Sequence, residues 1–314
     1  MLDRICTALL LSLFTSCAMA AKPPSAATGP LPASMRIDHV LFVIEQSELE
    51  VDRVAPNRGI MSLGGVLPFA VAMGVSSAQT HNRKKQAGPL QLDVGDAPLD
   101  RQLIDCILAH LPEVALKEGA DFAVIRDQAE WQAKLVEWVP ARILEVRLRY
   151  ALRMNLDIAY VQVETQVLNY QRLPPTYEQG KNMTMTERIR AKPEVLRAAN
   201  YFSEHVTHAP FGKQPKSPGK NRYQHNAAAW AESDSRRLNE AFVLAIQEVG
   251  GLLGRDLEAG LPAASAGSLI KAMTVDPLRP NRLLKVRLVE ATEQRSLVQA
   301  NNGWHWIDPR QIKR

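Results

Sequence analysis

The clearest pattern along the chain is strict alternation. Leu144, Val146, Leu148, Tyr150 and Leu152 alternate with Glu145, Arg147, Arg149 and Ala151. Beyond the short turn Met154-Asn155-Leu156-Asp157, Val161, Val163, Thr165 and Val167 alternate with Gln162, Glu164 and Gln166. Period two on both sides of a polar turn predicts an antiparallel hairpin with one solvated face. The run from Ile37 to Ile44 differs, because Val40 to Ile44 is continuously apolar. Such a run suits a strand buried on both faces. Tyr201 to Val206 reads as a further strand. Leu283 to Val289 and Leu297 to Ala300 read as a closing hairpin before Trp304 and Trp306.

Helical spacing appears in three places. Leu99, Leu103, Ile107 and Leu111 share one face, with Asp96 as a candidate cap and Pro112 as a stop. Asp127 to Trp138 places Trp131, Leu135 and Trp138 on one side, and Pro140 ends it. The longest signal runs from Ala227 to Leu257, with the stripe Leu238, Phe242, Ala245, Ile246, Val249, Leu252 and Leu253. Ser233 or Asp234 would cap a shorter version. Residues 171–200 read as mixed and part helical, and 259–281 as a connector. An uncharged stretch, 59–78, carries Gly64, Gly65, Pro68 and Gly74. These residues dilute its hydrophobicity, so close packing in a core is the plainer expectation and membrane contact the alternative. The fold expected is α+β: one main domain, 37–307, with a mixed or mainly antiparallel sheet packed against a few helices.

The amino terminus follows another rule. Arg4 precedes an apolar stretch from Ile5 to Phe14, and Ala18-Met19-Ala20 is followed by Ala21. A short apolar run closed by an A-x-A site reads as a secretory signal over residues 1–20, cut between Ala20 and Ala21. Phe14-Thr15-Ser16-Cys17 offers a second site, a lipoprotein box in which Cys17 would carry the lipid. The sequence leaves the two open. Multiple acyl chains would anchor the chain stably, whereas one alone binds marginally. A Pro- and Ala-rich tether, 21–36, follows.

Export sharpens the cysteine arithmetic. Of the three cysteines, Cys6 and Cys17 lie in the signal region. Cys106 alone cannot form an intrachain disulfide and reads as a small buried hydrophobe. The 314 residues carry 38 Lys and Arg against 33 Asp and Glu. The excess is local. Arg83, Lys84 and Lys85, then Lys213, Lys216, Lys220 and Arg222, then Arg310, Lys313 and Arg314 hold ten positive charges, against a net +5 for the whole chain. They read as an exposed loop near 209–224, a basic tail at 308–314 and one further segment. An exported chain meets envelope proteins or an anionic envelope surface, and nucleic acid is not the expected partner. Membrane association is expected only through a lipid on Cys17.

His205, His208 and His225 have the residue types of an open zinc site, but positions three apart on a strand face opposite ways. Ser268-Leu269-Ile270-Lys271 and Ser217-Pro218-Gly219-Lys220 match SxxK without the companion KTG or SDN. There is no GxSxG elbow, no GxxxxGK[ST] and no GxGxxG. Glu45, Glu48, Glu50 and Asp52 cluster after a strand, where acids normally form a solvated loop. No catalytic residue, metal or cofactor is assigned. Arg142 through Asn169, the Asn226–Leu257 helix with Trp230, and the closing basic hairpin together resemble bacterial envelope proteins, often lipoproteins, with a mixed α/β domain. That resemblance implies an envelope location and no catalytic residues. The expected function is a non-catalytic binding or assembly module. The alternative is an envelope hydrolase whose site forms only in three dimensions from the three histidines and the 45–52 acids.

Overall fold

The computed structural model describes residues 29–44, 46, 49–52, 81–82, 84–85, 87, 90, 99–174, 183–184, 187, 192–208, 221–232, 235–262, 267–276 and 283–313. Its centre is a mixed sheet of eleven strands. In chain order they are β1 (Ile37–Val43), β2 (Glu50–Val51), β3 (Leu116–Ile125), β4 (Ala141–Leu152), β5 (Ile158–Tyr170) and β6 (Glu194–Val206). Then come β7 (Ser268–Met273), β8 (Leu283–Ala291), β9 (Ser296–Ala300), β10 (Gly303–Ile307) and β11 (Ile312–Lys313). The spatial order is β11-β7-β8-β9-β10-β6-β5-β4-β1-β3, with β2 beside β4. Among the described residues the helices include α1 (Leu99–His110), α2 (Gln128–Trp138), α3 (Arg222–Trp230) and α4 (Arg236–Glu258). The α+β class and the mixed sheet agree with the sequence pattern.

β1 lies parallel to both β3 and β4, so it is central and buried on two faces. Val40 and Phe42 turn to the cluster under α1 and α4, while Leu41 and Val43 turn to the cluster under α2. Alternation along β4 and β5 splits the same way. Leu144, Val146, Leu148, Val161, Val163 and Val167 lie beneath α1 and α4. Ile143, Leu168 and Tyr170 meet Leu135 and Trp138 of α2. Asp127 caps α2 by accepting from the amides of Ala129 (2.8 Å) and Glu130 (2.9 Å).

Several expectations change. The single helix over 227–257 is two helices, α3 and α4, separated at Ser235, whose φ is 58°. Ser233 and Asp234 lie outside the described residues, as do Asp96 and the stretch 59–78. The part-helical reading of 171–200 fails at its end, because β6 already begins at Glu194. The connector 259–281 contains β7, and the basic tail contributes β11, which pairs with β7. The second face of the β4–β5 hairpin is only partly solvated. Apolar clusters cover both its ends and leave Arg147, Gln162, Glu164 and Gln166 half-open between them. Among the described residues no helix is long and apolar enough to cross a membrane.

Candidate functional site

Two places gather polar side chains. The first lies where α4 crosses β6 and the β8–β9 turn. Alternation along β6 directs Tyr201, Ser203 and His205 toward α4, and helical spacing brings Glu248, Gly251 and Arg255 to one wall. Arg295 from the β8–β9 turn completes the group. Its guanidinium donates to Glu248 Oε1 (2.7 Å) and Oε2 (2.6 Å), to Ser203 Oγ (3.1 Å), and to the carbonyls of Glu204 (2.9 Å) and Trp306 (3.1 Å). Ser203 donates its own hydroxyl proton to Glu248 Oε2. A hydroxyl has one hydrogen, so toward His205 Nε2 at 3.4 Å the serine oxygen can only accept. The serine proton is thus committed to Glu248 and not to His205.

That orientation is the reverse of a serine nucleophile activated by a histidine base. Burial pushes the Glu248 carboxyl up, but contacts with His205, Arg295 and Ser203 outweigh it and hold it below its usual range. The carboxylate stays ionised and neutralised by arginine. Beside this network opens a cleft of ≈ 370 Å³ lined by Glu248, Leu252, Arg255, Thr292, Arg295 and Trp306. Its far end is marked by Arg255, which clamps Glu290 through two hydrogen bonds.

The second place is the β4–β5 turn, and it is buried rather than polar and exposed. Arg153 (1 %), Met154, Asn155, Leu156 (0 %) and Asp157 (4 %) are all shielded. Leu156 takes a φ of 57°, which closes the turn. The cover is α3. Trp230 Nε1 donates to the Leu156 carbonyl (2.9 Å), and Asn226 Nδ2 donates to that of Asn155 (2.8 Å). Arg153 grips Asp157 through Nε (2.9 Å) and Nη2 (2.5 Å). Arg222 reaches the same carboxylate at 3.6 Å. Among the described residues, the buried atoms without a hydrogen-bond partner include Arg153 Nη1, His208 Nε2 and Asn226 Oδ1.

The sequence candidates are thus redistributed. His205 sits with Glu248 at 3.7 Å, whereas His208 stacks on His225 with ring centroids 5.1 Å apart. The histidines are neither one cluster nor loose surface groups. Among the described residues no group of three or more His, Cys, Asp or Glu is placed to hold a metal. Glu50 and Asp52 do not form a solvated loop. Both close on Arg149, at 2.8 and 3.0 Å, and Tyr160 donates to Asp52 at 2.6 Å. Burial raises the Asp52 carboxyl despite Arg149, and burial beside Asp52 drives the Tyr160 hydroxyl well up. Ser268 and Lys271 point to opposite sides of β7, so they form no Ser–Lys pair. Cys106 is only half-buried, bonded to the Ile246 carbonyl at 3.4 Å, and burial raises its thiol.

Cys17, Ala20, Ala21, Glu45, Glu48, Lys213, Lys216, Ser217 and Lys220 lie outside the described residues. Sequence reasoning missed Arg153, Ser203, Glu248 and Arg295. The available signals were faint: a charge at the edge of a hairpin turn, and a glutamate flanking the α4 apolar stripe. Neither a protein-family model, nor a curated protein, nor a solved structure matches this chain.

Proposed function

We propose that the chain is an exported cell-envelope protein acting as a non-catalytic binding or assembly module. The amino-terminal signal pattern supports the envelope setting. One observation carries the binding reading. The group Ser203, His205, Glu248 and Arg295 is mutually satisfied, and the serine proton goes to Glu248 rather than to the histidine. Such a group makes a rigid, charge-neutral wall for the adjoining cleft. Rigid walls with few oriented polar groups are what recognition sites require.

Mass spectrometry of the mature amino terminus, taken from cell fractions, tests the envelope setting. The expected species is a chain starting at Ala21, or at an acylated Cys17, in the envelope or periplasmic fraction. A chain that keeps residues 1–20 in the cytosol overturns it. The hydrolase reading retains one favourable observation, the 3.4 Å approach of Ser203 to His205 beside an open cleft. A fluorophosphonate probe separates the two. Binding predicts no labelling, and labelling that disappears in Ser203→Ala establishes the hydrolase instead.

A further inference from the structure

We propose that the β4–β5 turn beneath α3 is a binding site for a phosphate group carrying a hydroxyl, either free hydrogen phosphate or a phosphate monoester. This place is apart from the cleft beside Arg295, and the proposal goes beyond the reading given for that cleft.

Arg153 and Arg222 share the carboxylate of Asp157. Arg237 adds no carboxylate. It donates to the carbonyl of Thr207 (2.8 Å), and its guanidinium lies over the Trp230 ring at 5.7 Å. Thr207 in turn binds the Asp157 carbonyl through its own amide at 3.0 Å, so the arginines and the turn are one connected unit. Two arginines share the one carboxylate of Asp157, and an added oxyanion would complete such an arrangement.

Arg153 is 99 % shielded, and its Nη1 has no acceptor. A buried guanidinium nitrogen without an acceptor is costly, so the site lacks a partner rather than a donor. His208 Nε2 is likewise unpartnered. The groups facing His208 are His225, Arg237, Arg310 and Asp157, and all but Asp157 oppose its protonation, as does burial. A phosphate would oppose that field and favour the protonated ring. Asn226 Nδ2 is committed to Asn155, so its unpartnered Oδ1 requires a donor. A phosphate hydroxyl is a donor as well as part of an anion. Access is by way of Arg222, whose side chain is 45 % exposed and whose contact with Asp157 is long.

The experiment uses the full mature chain. Inorganic phosphate is titrated while the histidine ring resonances are followed by NMR, and affinity is taken by calorimetry. The expected result is a saturable shift at His208, with its titration moved to higher pH in phosphate. Arg222→Gln, half-exposed and safe for folding, weakens binding at least about tenfold. His208→Ala does the same. Arg153→Lys keeps the cation beside Asp157 but removes Nη1, and it also weakens binding. Flotation with phosphatidic acid vesicles in phosphatidylcholine distinguishes the sources. Flotation that free phosphate competes away assigns a lipid monoester, and phosphate binding without flotation assigns the free ion. No His208 response to phosphate overturns the proposal, as does equal affinity in Arg222→Gln and His208→Ala. If that happens while the mature amino terminus is found in the envelope and Ser203 is unlabelled, the anion site falls and the binding module stands.

Discussion

At the residue scale, Arg295 carries more than any other side chain described. It ties β6, α4 and β10 together through five hydrogen bonds, and its partner Glu248 is three-quarters shielded. Replacing it with Met leaves an ionised carboxylate without its counter-charge, which should cost about 3 kcal/mol by urea denaturation. The same pair sets a pH dependence. The folded Glu248 carboxyl is lowered from its usual 4.5, so its contribution is fully present above that value. It is lost as pH falls through the lower folded value. The stability gap between wild type and Glu248→Gln should therefore be large at pH 7 and shrink steadily in acid. A gap that stays constant to about pH 2 would contradict the pairing. Asp52 runs the other way, because burial raises it above its usual 3.8. Its ionisation subtracts stability as pH rises, so measuring Glu248 alone requires the difference between variants. Cys106 offers a simpler check. Its thiol is raised from 9.0 by burial, so iodoacetamide should alkylate it more slowly at pH 8 than a free cysteine, as read by mass spectrometry.

At the element scale, the contact of α1 with α4 depends on glycine. A Cβ on Gly254 would lie 2.3 Å from the His110 carbonyl oxygen, and one on Gly250 would lie 2.8 Å from Cys106 Sγ. Gly251, between them in sequence, has nothing within 4 Å. Gly254→Ala must push the helices apart and should cost about 3 kcal/mol. Gly251→Ala should stabilise by about 0.5–1 kcal/mol, since alanine is the better helix former. Gly250→Ala should be rescued in part by Cys106→Ala, because the sulfur is the obstacle. Thermal melts of the three glycine variants, Cys106→Ala and the Gly250→Ala/Cys106→Ala double variant against wild type decide this. Both helices were legible from their apolar stripes, and so was the β4–β5 hairpin. The glycine contacts were not, because a glycine in a helical pattern reads only as a weak spot until the facing helix is known. Nor was the buried turn: Asn155 and Asp157 look solvated in sequence, and only α3, more than sixty residues on, covers them.

At the scale of the whole molecule, the parallel pairing of β6 with β10 joins the amino-terminal strands to the β7–β10 meander. Gly303 sits at the start of that joint with φ 146°, and a Cβ there would meet the Asn200 carbonyl oxygen at 2.3 Å. Gly303→Ala should lower stability by about 3 kcal/mol, combining strain with overpacking. Hydrogen exchange is the sharper readout. β9 and β10 should exchange faster in the variant, while β4 and β5 keep their protection unless unfolding is global. The meander also holds a buried group. Glu204 accepts from the Val275 amide (2.9 Å), Gln311 Nε2 (2.8 Å) and His305 Nδ1 (2.7 Å), while His305 stacks on Phe202 at 4.3 Å.

The amino-acid sequence by itself determined the local elements whose signals are periodic: β1, the β4–β5 hairpin, α1, α2, most of α4 and the β8–β9 hairpin. It also carried a signal-like pattern at the amino terminus and no GxSxG, GxxxxGK[ST] or GxGxxG motif. These are statements about neighbours within a few residues, where backbone geometry alone fixes which side chains share a face. Tertiary structure alone decided where the charges go. Arg149 closes on Glu50 and Asp52 from about a hundred positions away, and Arg295 meets Ser203 across a similar span. It also split the three histidines and buried a turn that reads as exposed. A charged side chain in sequence carries only its type. Its partner, its shielding and hence its chemistry come from strands and helices brought together by the apolar core.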